Sequence, residues 1–168
     1  MHKLTLATLM ALTATLSHGQ TCNPNIVREA PDSRYQLLNG DTEVKDIQTG
    51  LIWQRCSLGQ TWSGSSCTGT AATYNWANAL QTAKNMGDDW RVPNIKELDS
   101  LVEEACYNTA INETFFPATQ ANKLYWSSSP VANHTGYAWI VNFHDGGDYN
   151  GDGGKLYDGY VRLVRSSQ

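Results

Sequence analysis

Basic residues are in the minority. The chain of 168 residues carries 12 Lys and Arg against 16 Asp and Glu, a formal net charge of −4. General binders of nucleic acid or other polyanions are normally basic, so the charge argues against that class. Histidine is also scarce. There are four, His2, His18, His134 and His144, and they do not cluster. No two cysteines have Cys-x-x-Cys spacing, so the signature of a zinc site is missing. The nucleophile elbow Gly-x-Ser-x-Gly, the zincin motif His-Glu-x-x-His and the phosphate loop are all absent. Beyond the first residues, no apolar run is long enough to cross a bilayer. No internal repeat is evident.

What is present begins at the N-terminus. Met1-His2-Lys3 is a short basic start, and Leu4 to Leu16 is apolar apart from threonines. Ser17-His18-Gly19 then places small residues before a cut at Gln20. This reads as a secretory signal peptide over residues 1–19. A polar lead-in over 20–43 and one domain over 44–168 follow. Four cysteines remain, Cys22, Cys56, Cys67 and Cys106. An even number in an exported chain reads as two disulfides. Three pairings are possible. The favoured one joins Cys56 to Cys67 around a Gly/Ser-rich loop and Cys22 to Cys106, tying the N-terminus to the end of a helix. Export implies a secreted or periplasmic protein with no membrane span.

Two strands, Glu43–Asp46 and Leu51–Arg55, are expected around Gln48-Thr49-Gly50. A helix is expected over Tyr74–Met86, with Tyr74, Ala77, Leu80 and Ala83 repeating every three residues. Pro93 forces Val92 out of helical conformation. Asn94 with Glu97 then forms a box-like start to a second helix. Its apolar face is Leu98, Leu101, Val102 and Ala105, with Cys106 on the last turn. The rest is strand-like: Leu124–Ser129, Tyr137–Phe143 and Gly159–Arg165. Two early helices and late antiparallel strands predict an α+β fold, helices packed on antiparallel strands.

Several segments carry a resemblance. They are Asp46-Ile47-Gln48-Thr49-Gly50-Leu51-Ile52-Trp53, Trp76-Ala77-Asn78-Ala79-Leu80 and Asp89-Trp90-Arg91-Val92-Pro93-Asn94-Ile95-Lys96-Glu97-Leu98. Further on come Ile111-Asn112-Glu113-Thr114-Phe115-Phe116-Pro117, Tyr125-Trp126-Ser127-Ser128-Ser129 and Val161-Arg162-Leu163-Val164-Arg165. Taken in this order, they resemble a bacterial domain family named for the C-terminal domain of a Legionella collagen-like adhesin. The resemblance implies a C-type-lectin-like fold, related to the formylglycine-generating enzymes and to the variable binding proteins of diversity-generating retroelements. It also implies a trimer that binds sulfated glycans.

Most of the prominent motifs have structural readings. Trp90 and Trp126 are expected in the core, Arg91 to brace a loop, and Arg162 and Arg165 to pair with carboxylates at the core edge. The loop from Asp145 to Gly154 is the candidate site. Asp148, Asn150 and Asp152 match the first half of a calcium loop, in which alternate oxygens face one side of a tight turn. Gly159 stands where a bidentate Glu would complete it, and the competing reading is a Gly/Asp turn. Calcium is therefore the one candidate cofactor. Tyr149, Asn150, Lys155, Tyr157 and Asp158 are the candidate ligand contacts, since Tyr and Asn suit adaptable binding surfaces.

Function classes follow from these residues. The leading expectation is a secreted, non-catalytic binding module for an extracellular glycan or protein, with no nucleic-acid partner. The alternative is a structural or assembly subunit of a surface complex, with homo-oligomers in view. A formylglycine-generating type of oxidase needs reactive cysteines, and disulfides account for all four here.

Overall fold

The computed structural model describes residues 19–150 and 152–167. The segment read as a signal peptide, residues 1–19, lies outside the described residues except for Gly19. In chain order the strands and helices are β1 (Thr21–Cys22), β2 (Tyr35–Leu38), β3 (Glu43–Asp46), β4 (Leu51–Gln54), β5 (Thr61–Trp62), β6 (Cys67–Thr68), α1 (Trp76–Asn85) and α2 (Ile95–Asp99). They continue with β7 (Cys106–Tyr107), β8 (Leu124–Val131), β9 (His134–Asn142), β10 (Gly147–Tyr149) and β11 (Val164–Ser166). A four-stranded sheet runs β11-β4-β3-β2 and a three-stranded sheet β10-β9-β8, while β1-β7 and β5-β6 form small pairs. All these ladders are antiparallel. The fold is thus mixed, with mostly antiparallel sheets, two helices and two disulfides.

Alternation along the strands builds two cores. Successive strand residues point to opposite faces. Trp53, Tyr125, Val141 and Val164 enter one cluster with Phe116 and Phe143. Their neighbours Ile52, Trp126, Ile140 and Leu163 enter a second with Ala79, Ala83 and Trp90. The strands are buried on both faces, which is why they read as nearly continuous apolar runs. Each large side chain fully buried in this way stabilises the fold by roughly 1.5–3 kcal/mol.

Both helices start as their caps dictate. Asn75 accepts from the Asn78 backbone at α1. Asn94 and Glu97 form a complete capping box at α2. Three expectations change. The buried residues of α1 are Ala79 and Ala83, with Trp76 and Leu80 packed beside them, and Ala77 is exposed. The stripe therefore follows 3–4 spacing, not a strict three-residue repeat, as a period of 3.6 requires. α2 ends at Asp99, well short of Cys106. The Ser100 hydroxyl donates to the Glu97 carbonyl, Val102 bridges Ile111, and the buried Glu103 carboxylate takes the Ala105 N–H. Ser100 N still bonds Lys96 O and the next two residues make three-residue turns, but Glu103 N turns to Ala110 O, and Cys106 falls on strand β7. The last predicted strand is regular only over β11. Residues 159–163 are extended but exchange single bonds with several segments, among them Gln54 N to Leu163 O and Leu58 N to Val161 O.

The lead-in is also more than a linker. β2 is the edge strand beside β3. Arg34, just before it, donates through Nε to Asp46 Oδ1 at 2.9 Å and through Nη2 to Oδ2. Both side chains are buried. The Glu103 carboxylate accepts from the N–H groups of Glu29 and Ala30. Asn112 donates to the Ala30 carbonyl and the Asp32 carboxylate. Both disulfides form as expected, Cys22–Cys106 and Cys56–Cys67.

Two predictions concern stability. The bridges close separations of 84 and 11 residues. In the chain-entropy picture they contribute about 4–5 and about 3 kcal/mol. Replacing Cys22 and Cys106 with Ser should lower the urea midpoint more than replacing Cys56 and Cys67, and equal midpoints would contradict the entropic account. The second concerns Asp46. Burial alone would raise its carboxyl, but hydrogen bonds from Arg34 and the Thr49 hydroxyl outweigh burial and hold it below the ordinary value. A depressed carboxyl stabilises the fold above its unfolded pKa, and that stability is lost as pH falls through the folded pKa. Asp46→Asn should therefore destabilise the domain at neutral pH, and the deficit relative to wild type should shrink in acid. A pH-independent deficit in chemical denaturation would refute this.

Candidate functional site

The β8–β9 hairpin and the chain that returns beside it form the candidate surface. Residues 153–155 run antiparallel along the first part of β9, next to the hairpin turn. Ala138 N bonds Gly153 O at 2.8 Å, Lys155 N bonds Gly136 O at 2.9 Å, and Tyr137 and Gly154 are bridge partners. Gly153 is required by proximity: a Cβ there would stand 1.9 Å from the Ala138 carbonyl oxygen. Bridge partners direct their side chains to the same face. The Tyr157 ring lies 2.9 Å from where a Gly154 Cβ would be. Tyr157 therefore sits on the face that carries Tyr137. His134 adds an edge-on contact to Tyr137, with centroids 5.7 Å apart. A shallow depression of about 360 Å³ opens here, lined by Val131, His134, Tyr137 and Asn150. Tyr157 is 70% and Leu156 91% exposed.

The expected contact residues do not all meet. Asn150 reaches the depression, and Tyr157 flanks Tyr137. Tyr149 pairs with Ile140 in the ladder. It therefore leaves the sheet on the face opposite Tyr137. Its hydroxyl donates to Asp145 Oδ2 at 3.0 Å. That bond and the Asp145 charge raise the phenol above its ordinary value. Lys155 points away as well. Its ammonium donates to the Thr135 carbonyl at 2.8 Å and stands 4.3 Å from the Trp76 ring centroid. It acts as a clamp between the hairpin and α1. Asp158 is exposed, in the turn after Tyr157.

The loop read for calcium divides between a strand and a bend. Asp148 belongs to β10, opposite Val141, while Asn150 and Asp152 lie beyond the strand's end. Asp148 lines a small hollow with Asp99, Lys96 and Trp139. Burial, then the charges of Asp148 and Glu104, raise the Asp99 carboxyl above its ordinary value. Among the described residues, no three His, Cys, Asp or Glu side chains are grouped to hold a metal ion.

The motifs given structural readings take those places. Trp126 is buried and donates to the Tyr74 carbonyl at 2.7 Å. Arg91 makes a two-pronged pair with Glu97, both bonds 2.7 Å. Arg165 pairs with Glu43 at 2.8 Å. Arg162 differs from expectation. It is fully buried and takes no carboxylate, donating instead to the carbonyls of Gln54 and Arg55 and to the hydroxyls of Ser57 and Thr119. Sequence reasoning placed Tyr137 in a strand and read His134, at its flank, as inert and not as a ligand contact. The available signal was that His134-Thr135-Gly136-Tyr137 precedes the apolar part of β9 and is exposed throughout.

No curated protein matches the chain significantly. The profile of one family, described as the Lcl C-terminal domain, matches residues 42–165. That span takes in β3 through the start of β11 and the whole of the aromatic face. The chain belongs to the Lcl C-terminal domain family.

Proposed function

We propose that this protein is a non-catalytic binding module of C-type-lectin-like fold that recognises a glycan or surface protein outside the cell. The carrying observation is the exposed face of His134, Tyr137 and Tyr157 beside Asn150, held by the return strand at Gly153 and Gly154. Tyrosine rings give a broad apolar contact at low entropic cost, and their hydroxyls add hydrogen bonds. The family, named for an adhesin's terminal domain, supports an adhesive role. The two disulfides suit a protein that works in the periplasm or beyond. The described cysteines are all paired, which leaves no thiol for oxidase chemistry.

An assembly subunit is the second reading. Leu156, at 91% exposed beside Tyr157, would suit a contact with another copy or a neighbouring subunit. Sedimentation across a concentration series separates the two.

The test is a glycan array and a cell-surface binding assay on the wild-type domain, repeated with Tyr137→Ala and Tyr157→Ala. Both side chains are exposed, so thermal midpoints should hold while binding weakens at least about tenfold, as for aromatic anchors at interfaces. Undiminished binding by the double variant would sink the assignment of this face.

A further inference from the structure

The turn end of the β8–β9 hairpin is poorly held by its own ladder. The register shifts on either side of Pro130, and Pro130 has no N–H to donate. Residues 134–137 are exposed throughout. A two-stranded ribbon of this kind is marginal in water without support from outside. Yet the aromatic face needs this end to hold one shape. His134 and Tyr137 come from the hairpin, and Tyr157 comes from the chain that returns beside it.

The support comes from Lys155 and the start of α1. The first N–H groups of a helix have no partner within it. Trp76, the first residue of α1, gives its N–H to the Lys155 carbonyl at 3.1 Å. Its indole Nε1 donates to the Ser127 carbonyl of β8 at 2.8 Å. The Lys155 N–H bonds Gly136 O at 2.9 Å. Its ammonium reaches the neighbouring carbonyl, Thr135 O, at 2.8 Å and stands 4.3 Å from the Trp76 ring centroid. One lysine thus ties the first part of β9, the returning chain and α1 together. Gly154 is the bridge partner of Tyr137 and Lys155 follows it, so the Lys155 side chain leaves on the face opposite Tyr137.

We propose that Lys155 is the positioning residue of the aromatic face: its ammonium holds the hairpin turn against α1, so that His134, Tyr137 and Tyr157 are presented together before anything binds. The proposal rests on the binding role assigned to that face. Lys155 acts through the tyrosines and makes no contact with what they bind. Apparent affinity falls with the fraction of molecules that hold the competent arrangement, and a face ordered in advance avoids the cost of ordering on binding.

The experiment uses the disulfide-bonded domain with Lys155→Met, which keeps the apolar stem and removes the charge, and Lys155→Arg, which keeps a cation. Amide hydrogen exchange in the free protein is the first readout. Lys155→Met should speed exchange at Ala138, whose N–H bonds Gly153 O, and at Trp76, whose N–H bonds Lys155 O. Exchange at Trp126, whose N–H bonds Tyr160 O in the core, should hold. Capture on the glycan array and on intact cells should weaken at least about fivefold, and Lys155→Arg should restore both readouts. Unchanged exchange at Ala138 and Trp76 would overturn the proposal, and weakened capture with unchanged exchange would make Lys155 a direct contact instead. Equal loss of protection at Trp126, or no rescue by arginine, would also overturn it. A wild type that binds neither array nor cells would remove the role of the face, while exchange would still decide whether Lys155 orders it.

Discussion

The Arg162 guanidinium is buried without a carboxylate, and the two cores meet around it. Removing a charged group from water is costly unless its hydrogen bonds are replaced. Here the replacements are the carbonyls of Gln54 and Arg55 and the hydroxyls of Ser57 and Thr119. The Phe116 ring lies 5.0 Å from its Cζ. Burial pulls the guanidinium below its ordinary pKa, with the hydroxyl of Tyr125 opposing that shift. Its chain neighbours Val161 and Leu163 pack into the second core, and Phe116 belongs to the first. Holding Arg162 thus fixes the end of β4, the segment before β11 and the 116–119 turn relative to one another. The final segment does without a continuous ladder because this side chain and single backbone bonds to several segments together anchor it.

A second set of buried polar groups does the same for the N-terminal part. Arg34 with Asp46, Glu103 with the N–H groups of Glu29 and Ala30, and Asn112 with Ala30 convert a polar stretch into ordered structure. Cys22–Cys106 closes the same region covalently. These contacts are satisfied in detail, and partly satisfied networks would be destabilising. The arrangement explains how a domain with many loops keeps one conformation.

The proposed binding surface lies at the turn end of the β8–β9 hairpin, beyond the regular ladder. The turn end of the β8–β9 hairpin has no packing duty beyond Ala138, so His134 and Tyr137 face solvent. The return strand brings Tyr157 to them because Gly153 permits contact that no side chain would allow. There a rigid support holds residues that the core does not need.

Much of this was legible in the sequence. Asn94 with Glu97 announced α2, the even cysteine count announced the bridges, and the apolar runs at 51–53, 124–126 and 138–143 announced strands. These depend on neighbours in the chain, through dihedral preference, capping and side-chain period. The length of α2 was not legible. Leu101, Val102 and Ala105 have helical spacing, but Glu103 and the bridge to Ile111 draw the backbone elsewhere, and those partners lie far along the chain or in another element. The same holds for Arg162, whose partners are backbone carbonyls that carry no sequence signal. It holds also for Tyr149 and Lys155, which share a loop with Tyr157 but leave it on other faces. The sequence by itself determined most of the element types and the even cysteine count, and it favoured the pairing that forms. Only the tertiary structure decided which side chains share a face, because strand register and long-range hydrogen bonds are properties of pairs of segments and not of either segment alone.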